Sequence, residues 1–159
     1  MGIEIERKFL VSGDGWRAAV TGSVRYQQGY LARSPTSAIR VRTDGERAYL
    51  NIKSSTDGVT RLEYEYPIPL ADAEELLARV ALRPLIVKTR HYVDDGGRRW
   101  EIDVFEAENA GLVVAEVELE AADAEVLLPP WAGREVSSDP RYYNASLSER
   151  PYCEWGGAR

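Results

Sequence analysis

At 159 residues with 44% hydrophobic content, the chain is long enough for one globular domain, expected to span residues 1–159, with an apolar core that needs no disulfide. Its net charge of −6 argues against a uniformly basic nucleic-acid-binding surface, and its single cysteine, Cys153, excludes an intrachain disulfide or a cysteine-rich metal site. With no basic-then-apolar leader and no apolar run of spanning length, a soluble cytoplasmic protein without a membrane partner is expected.

The first stretch, Ile3–Val11, alternates with period two. An extended backbone places Glu4, Glu6 and Lys8 on one face, with the two glutamate Cα atoms roughly 7 Å apart, close enough for both carboxylates to reach one divalent cation. Residues 24–31 predict a second strand with Tyr26, Gln28 and Tyr30 on one parity. Residues 38–43 and 48–53 predict a hairpin through Asp44-Gly45-Glu46. Residues 61–66 follow the turn-like Thr56-Asp57-Gly58, and Leu76, Leu77 and Val80 predict a helix over 70–81. Residues 85–92 and 98–105 form another expected hairpin through Asp94-Asp95-Gly96-Gly97. Residues 112–120 predict the last long strand. A short helix is expected over 121–128, stopped by Pro129 and Pro130, then an extended 134–136, a short helix near 143–149 and a loose tail over 154–159.

Nearly every predicted strand carries charged or polar residues on one parity: Glu4, Glu6 and Lys8; Arg40 and Arg42; Asn51 and Lys53; Arg61, Glu63 and Glu65; Lys88 and Arg90; Arg99, Glu101 and Asp103; Glu116, Glu118 and Glu120. The other parity is apolar. One explanation is a set of strands with one face on a core and one in water. However, carboxylates dominate the first and last long strands, whereas basic residues come from the middle ones, and solvating surfaces usually mix their signs. On a curved sheet, sorted signs build a cavity with an acidic wall suited to metal and a basic wall suited to phosphate.

Glu4-Ile5-Glu6-Arg7-Lys8 resembles the N-terminal signature of the CYTH superfamily, the triphosphate tunnel metalloenzymes. Gln28-Gly29-Tyr30-Leu31, Arg40-x-Arg42, Leu50-Asn51-Ile52-Lys53, Arg61-x-Glu63-Tyr64-Glu65, Lys88-Thr89-Arg90, Glu101-Ile102-Asp103 and Glu116-Val117-Glu118 follow in the family's order. Asp139-Pro140-Arg141-Tyr142-Tyr143-Asn144 is similar to a segment near one tunnel mouth. The resemblance is closest to short bacterial tripolyphosphatases, with no fused second domain expected.

The resemblance implies a mainly β (α+β) fold: an eight-stranded antiparallel β-barrel tunnel, charged inside, with its apolar parity packed outward under a few flanking helices. Because unpaired buried charges cost several kcal/mol each, such an interior must be hydrated, internally paired or filled by metal and substrate. The implied partner is a small anionic triphosphate carrying about four to five negative charges near neutral pH, with no nucleic acid, acting on a monomer or homodimer. The implied cofactor is Mg²⁺ or Mn²⁺, both of which prefer carboxylate and water oxygens. Glu4, Glu6, Glu116 and Glu118 are the first metal candidates, with Asp103 and Glu63 or Glu65 in support. Arg40, Arg42, Lys53, Lys88 and Arg90, with Lys8, are the substrate clamp, and Lys8 with Tyr30 the implied base-assisting pair for water. Glu101 and Glu120 are expected in solvent.

Related possibilities are nucleotide cyclisation, as in class IV adenylyl cyclases, and thiamine triphosphate hydrolysis; each needs an organic-group platform that no motif supplies. A non-catalytic polyphosphate or nucleotide-triphosphate binding module is the third. His91, off the charged parity, reads as a packing or surface residue, Cys153 as a passive thiol and the four tryptophans mainly as packing residues. Gly13-x-Gly15 is too short to read as a phosphate loop, and Arg141, Tyr142 and Asn144 either reach substrate or dock a helix.

Overall fold

The computed structural model describes residues 2–156. In chain order it contains β1 (Gly2–Val11), a 3-10 turn at Gly15–Ala19, β2 (Val20–Arg33), β3 (Ser37–Thr43), β4 (Ala48–Ser54), β5 (Thr60–Ile68), α1 (Leu70–Arg79), β6 (Ile86–Asp95) and β7 (Arg98–Phe105). A 3-10 turn at Ala107–Asn109, β8 (Val113–Glu118), β9 (Ala132–Glu135), a 3-10 turn at Pro140–Tyr142, α2 (Asn144–Leu147) and a 3-10 turn at Tyr152–Glu154 complete it. No helix among the described residues is long and apolar enough to cross a membrane.

Antiparallel pairing runs β5-β4-β3-β2-β6-β7-β8-β1-β9, and a further β5–β1 pairing closes eight of the strands into a ring, with β9 outside it. β1 makes the closure. Its first residues pair with β5, Glu4 facing Arg61, and Glu6 to Leu10 pair with β8, Glu6 facing Glu118 and Lys8 facing Glu116. Residues directly opposite share a sheet face, so the pairs Lys53–Glu63, Arg90–Asp103 and Glu101–Glu116 carry one parity around the interior. The Asp44-Gly45-Glu46 turn is held by Asp44 Oδ1, which accepts the Glu46 and Arg47 amides at 2.9 and 2.8 Å. Gly96 and Gly97, with φ of 60° and 75°, form the two-residue β6–β7 turn that matches strand twist.

The outward parity packs under two covers. α1 lays Ala73 and Leu77 over Val41 and Ala48. It comes that close because Gly29 has no side chain: a Cβ there would sit 2.8 Å from both Ala81 Cβ and Leu85 Cδ2. Trp16, Trp131 and Leu119 cover Phe9, Trp100, Ile102 and Val117. The remaining outward stretch is open, and Ile3, Leu62, Tyr64 and Tyr66 are exposed.

Three expectations are corrected. Residues 121–128 are not helical; they run irregularly, with Ala124 and Val126 packed on the core and Leu127 and Leu128 exposed, an alternation suited to the extended backbone that the approaching prolines favour. The tail is docked as far as Trp155, which is buried and meets Tyr142 edge-on at 5.1 Å between ring centroids; residues 157–159 lie outside the described residues. The interior is also not charged throughout. Leu10, Ile86, Phe105 and Val114 lie on the charged parity, where Tyr142, Leu147 and Trp155 of the C-terminal segment meet them as an apolar plug.

Candidate active site

The ring encloses a cavity of about 940 Å³. Every sequence-predicted site residue lines it except Asp103: Glu4, Glu6 and Lys8 come from β1, Tyr30 from β2, Arg40 and Arg42 from β3, and Lys53 from β4. Glu63 and Glu65 enter from β5, Lys88 and Arg90 from β6, and Glu116 and Glu118 from β8. Asp103 is fully buried and takes Arg90 Nε at 2.8 Å and Lys88 Nζ at 2.8 Å. Its carboxylate is a shared counter-ion to those two cations.

The acidic and basic walls interlock. Lys53 meets Glu63 at 2.8 Å and Glu4 at 3.9 Å, and Lys8 meets Glu116 at 3.7 Å. Arg42 lies 3.7 Å from Glu65, whose other contact is the Asn51 amide at 2.8 Å, and Asn51 Oδ1 takes Arg40 at 3.0 Å. Tyr26, on the Tyr30 parity, lies under the guanidiniums of Arg42 and Arg90, 4.3 and 5.7 Å from its ring centroid.

Lys8 Nζ donates to the Tyr142 carbonyl at 3.2 Å. Lys8 and Tyr30 line the same cavity, and no hydrogen bond joins them among the described residues.

Sequence reasoning missed two contributors, Glu101 and Arg61, and left a third, Asn144, between two roles. Glu101, expected in solvent, lines the cavity and accepts Arg90 NH1 at 2.9 Å. Glu120 does lie outside, paired with Arg98 at 3.0 Å. Arg61, quoted only as part of a motif, reaches Glu4 at 2.7 Å and Glu6 at 3.6 Å; its place on the charged parity was the available signal. Asn144 Oδ1 accepts from both Gln28 at 2.7 Å and Lys88 at 2.9 Å, an arrangement that depends on how the plug folds back. Arg141 instead pairs with Asp139 at 2.8 Å. His91 Nδ1 lies 2.6 Å from Ser23 Oγ, its ring beside Trp16, in a packing environment, and all four tryptophans are buried.

Crowding tunes the acids and bases. Burial, then the charges of Glu116 and Glu4, push the Glu6 carboxyl well above the ordinary range. Glu116 is buried too, but Lys8, Arg90 and Lys88 hold it well below. Desolvation, then Glu4, Glu63 and Glu116, raise Glu118. Burial and the neighbouring Arg90 pull Lys88 down to about 7, against the opposing pull of Asp103, while burial, Arg40 and Arg61 pull Lys53 down to about 8.

The acidic wall suits a hard divalent cation. Glu4 and Glu116 crowd like charge against Glu6 and push its carboxyl up, and a divalent cation would relieve that repulsion. Among the described residues no three His, Cys, Asp or Glu side chains stand ready as a ligand set, so a cation held there would have to draw the carboxylates together.

The CYTH domain model matches residues 2–152. This chain belongs to the CYTH family. It is 45% identical over 152 residues to an inorganic triphosphatase of Acetivibrio thermocellus, covering 96% of this chain and 97% of the relative. It is 38% identical to an inorganic triphosphatase of Nitrosomonas europaea, covering 91% and 96% respectively. Among solved structures, the inorganic triphosphatase NE1496 superposes with a TM-score of 0.66 at 34% identity, covering 91% of this chain and 93% of that one. The closed eight-strand ring is thus the tunnel fold of the family, plugged here at one end.

Proposed function

We propose that this CYTH chain hydrolyses inorganic triphosphate to pyrophosphate and phosphate. The observation that carries the reading is the gathering of basic side chains on one site: Arg40, Arg42, Lys53, Lys88 and Arg90 open onto the same cavity, beside a carboxylate wall. The two relatives named inorganic triphosphatase support the substrate. Tyr30 and Tyr143 are the aromatic residues among the described cavity lining, and the other lining side chains are mostly charged or hydroxylic, an environment suited to phosphate rather than to a nucleobase or thiamine.

Arg40 and Arg42 turn guanidinium N–H groups to the phosphate oxygens, Arg90, its fork held by Asp103 and Glu101, adds its charge, and together they oppose the negative charge that builds on the bridging oxygen as the anhydride bond breaks. Lys88, fixed between Asp103 and Asn144, binds a phosphate near the plugged end, and Lys53 binds one toward Glu63. Lys8, anchored on the Tyr142 carbonyl, and Tyr30 handle the proton of the attacking water. A divalent cation, Mg²⁺ or Mn²⁺, held by Glu4, Glu6, Glu116 and Glu118 would neutralise substrate charge and make bound water more acidic.

The test offers triphosphate, ATP and thiamine triphosphate to the purified chain with Mg²⁺, Mn²⁺ or Ca²⁺, and measures phosphate and pyrophosphate release. Triphosphate should turn over fastest, and a chelator should abolish the reaction. Equal or faster release from ATP would sink the substrate assignment, and no release from any of the three would leave a binding module.

A further inference from the structure

Arg61 sits against two of the carboxylates assigned above to the cation. Its guanidinium lies 2.7 Å from Glu4 and 3.6 Å from Glu6, at the seam where β1 and β5 close the ring. The pairing is well set: Arg61 faces Glu4 directly in the strand register, so both side chains point into the cavity from adjoining backbone positions. Beyond these two carboxylates the guanidinium is attracted more weakly by Glu63 and Tyr30 and repelled by Lys53, with no further ion pair among the described residues. Glu4 therefore has two basic partners, Arg61 and the more distant Lys53 at 3.9 Å.

We propose that Arg61 is a displaceable internal counter-ion: it neutralises Glu4 and Glu6 in the free protein, yields them to a divalent cation, and then turns its freed guanidinium to the triphosphate. The inference rests on the cation site assigned above. One guanidinium cannot keep a full charge-assisted contact with a carboxylate whose oxygens are turned to a divalent ion, because like charges then face each other across a few ångströms. The freed fork remains inside a cavity already lined by phosphate-binding groups, and a polyanion is the partner that restores its lost interaction. Metal and triphosphate then assist each other's binding through Arg61, a coupling that is reciprocal by linkage. The same exchange sets a threshold: metal alone must compete with an arginine, so the site fills fully only when both ligands are present.

The experiment measures Mn²⁺ binding to the full chain by the electron paramagnetic resonance of free Mn²⁺, and separately binding of the non-hydrolysable imidotriphosphate by calorimetry. Arg61→Gln should bind Mn²⁺ about tenfold more tightly in the absence of the anion, the loss of one charge-assisted competitor, and bind imidotriphosphate several-fold more weakly in the presence of saturating Mn²⁺. Arg61→Lys, which retains charge but not the fork, should shift both constants in the same directions by less. Unchanged or weaker Mn²⁺ binding in both variants would overturn the proposal, as would tighter Mn²⁺ binding with unchanged imidotriphosphate affinity. Wild-type and Glu6→Gln proteins separate this from the underlying site: if Glu6→Gln binds Mn²⁺ as the wild type does, the cation site itself is misplaced, whereas loss of binding in Glu6→Gln with no gain in Arg61→Gln removes only the role of Arg61.

Discussion

Glu6 and Glu116 face one cavity from the paired strands β1 and β8, the first with its carboxyl pushed well up by burial and by Glu116 and Glu4, the second held well down by Lys8, Arg90 and Lys88 against its own burial. The basic groups thus favour ionisation of Glu116 over its neighbour Glu6.

Cation binding should therefore release a proton. A cation needs Glu6 ionised, so affinity should rise with pH up to the elevated Glu6 value and level off above it. Calorimetric titration with Mn²⁺ near neutral pH, repeated in buffers of different ionisation enthalpy, should report proton release that Glu6→Gln abolishes. The same elevation means that Glu6 favours the folded state at low pH and that this contribution is lost as pH rises through its folded value. Glu6→Gln should thus be more thermostable than the wild type at pH 8 without cation, while losing metal-dependent activity.

The lysines predict the opposite trend for the anion. Lys88 and Lys53 lie at about 7 and about 8 in the free protein, so they lose charge as pH rises through those values. Triphosphate favours their charged forms, and its binding near pH 8 should take up protons, with affinity falling toward about tenfold per pH unit for each lysine that must be recharged. Calorimetry with imidotriphosphate across pH 6.5–9 checks this, and Lys88→Gln should remove the lower of the two transitions. For folding, the sign reverses: the unfolded chain holds these protons up to an ordinary lysine value, so both groups add stability as pH rises above about 7.

Asp103→Asn distinguishes a counter-ion from a metal ligand. Asp103 is completely buried, with Arg90 and Lys88 both 2.8 Å away. Removing its charge leaves two buried cations without their shared partner, and should cost about 3–5 kcal/mol in urea unfolding of the cation-free protein. Cation affinity should change far less than in Glu6→Gln. A direct ligand would give the reverse pattern, with little effect on the cation-free protein and loss of cation binding.

The period-two pattern made the walls legible. Glu4, Glu6 and Lys8 or Arg40 and Arg42 can be placed on a face from spacing alone, because a strand leaves no other arrangement. What spacing does not carry is register. Arg61 became a partner of Glu4, and Glu101 a partner of Arg90, only through the pairing of β1 with β5 and β6 with β7. The apolar plug was hidden for a related reason: Leu10, Ile86 and Phe105 share the parity of charged residues, and the C-terminal segment that covers them folds back from residues 136–155. The helix expected over 121–128 failed because its helix-forming alanines and leucines sit where Ala124 and Val126 serve the core better from an extended backbone.

Gly29 offers a test of the fold apart from the chemistry. It lies in β2 beside Tyr30, but its bare Cα faces outward toward the segment after α1, where an added Cβ would lie 2.8 Å from Ala81 Cβ and Leu85 Cδ2 and 3.1 Å from Leu77 Cδ2. All three neighbours belong to the apolar cover over β2–β4, so relief requires α1 and its following loop to move away from the sheet. Gly29→Ala should destabilise the protein by about 1–3 kcal/mol, the usual cost of overpacking, in urea unfolding followed by tryptophan fluorescence. Because Tyr30 points the other way, into the cavity, the folded variant should keep its affinity for imidotriphosphate within about twofold. A larger loss of affinity at full folding would mean that the outward packing of α1 sets the position of Tyr30 and Arg40 across the sheet, through the backbone that Gly29 shares with them.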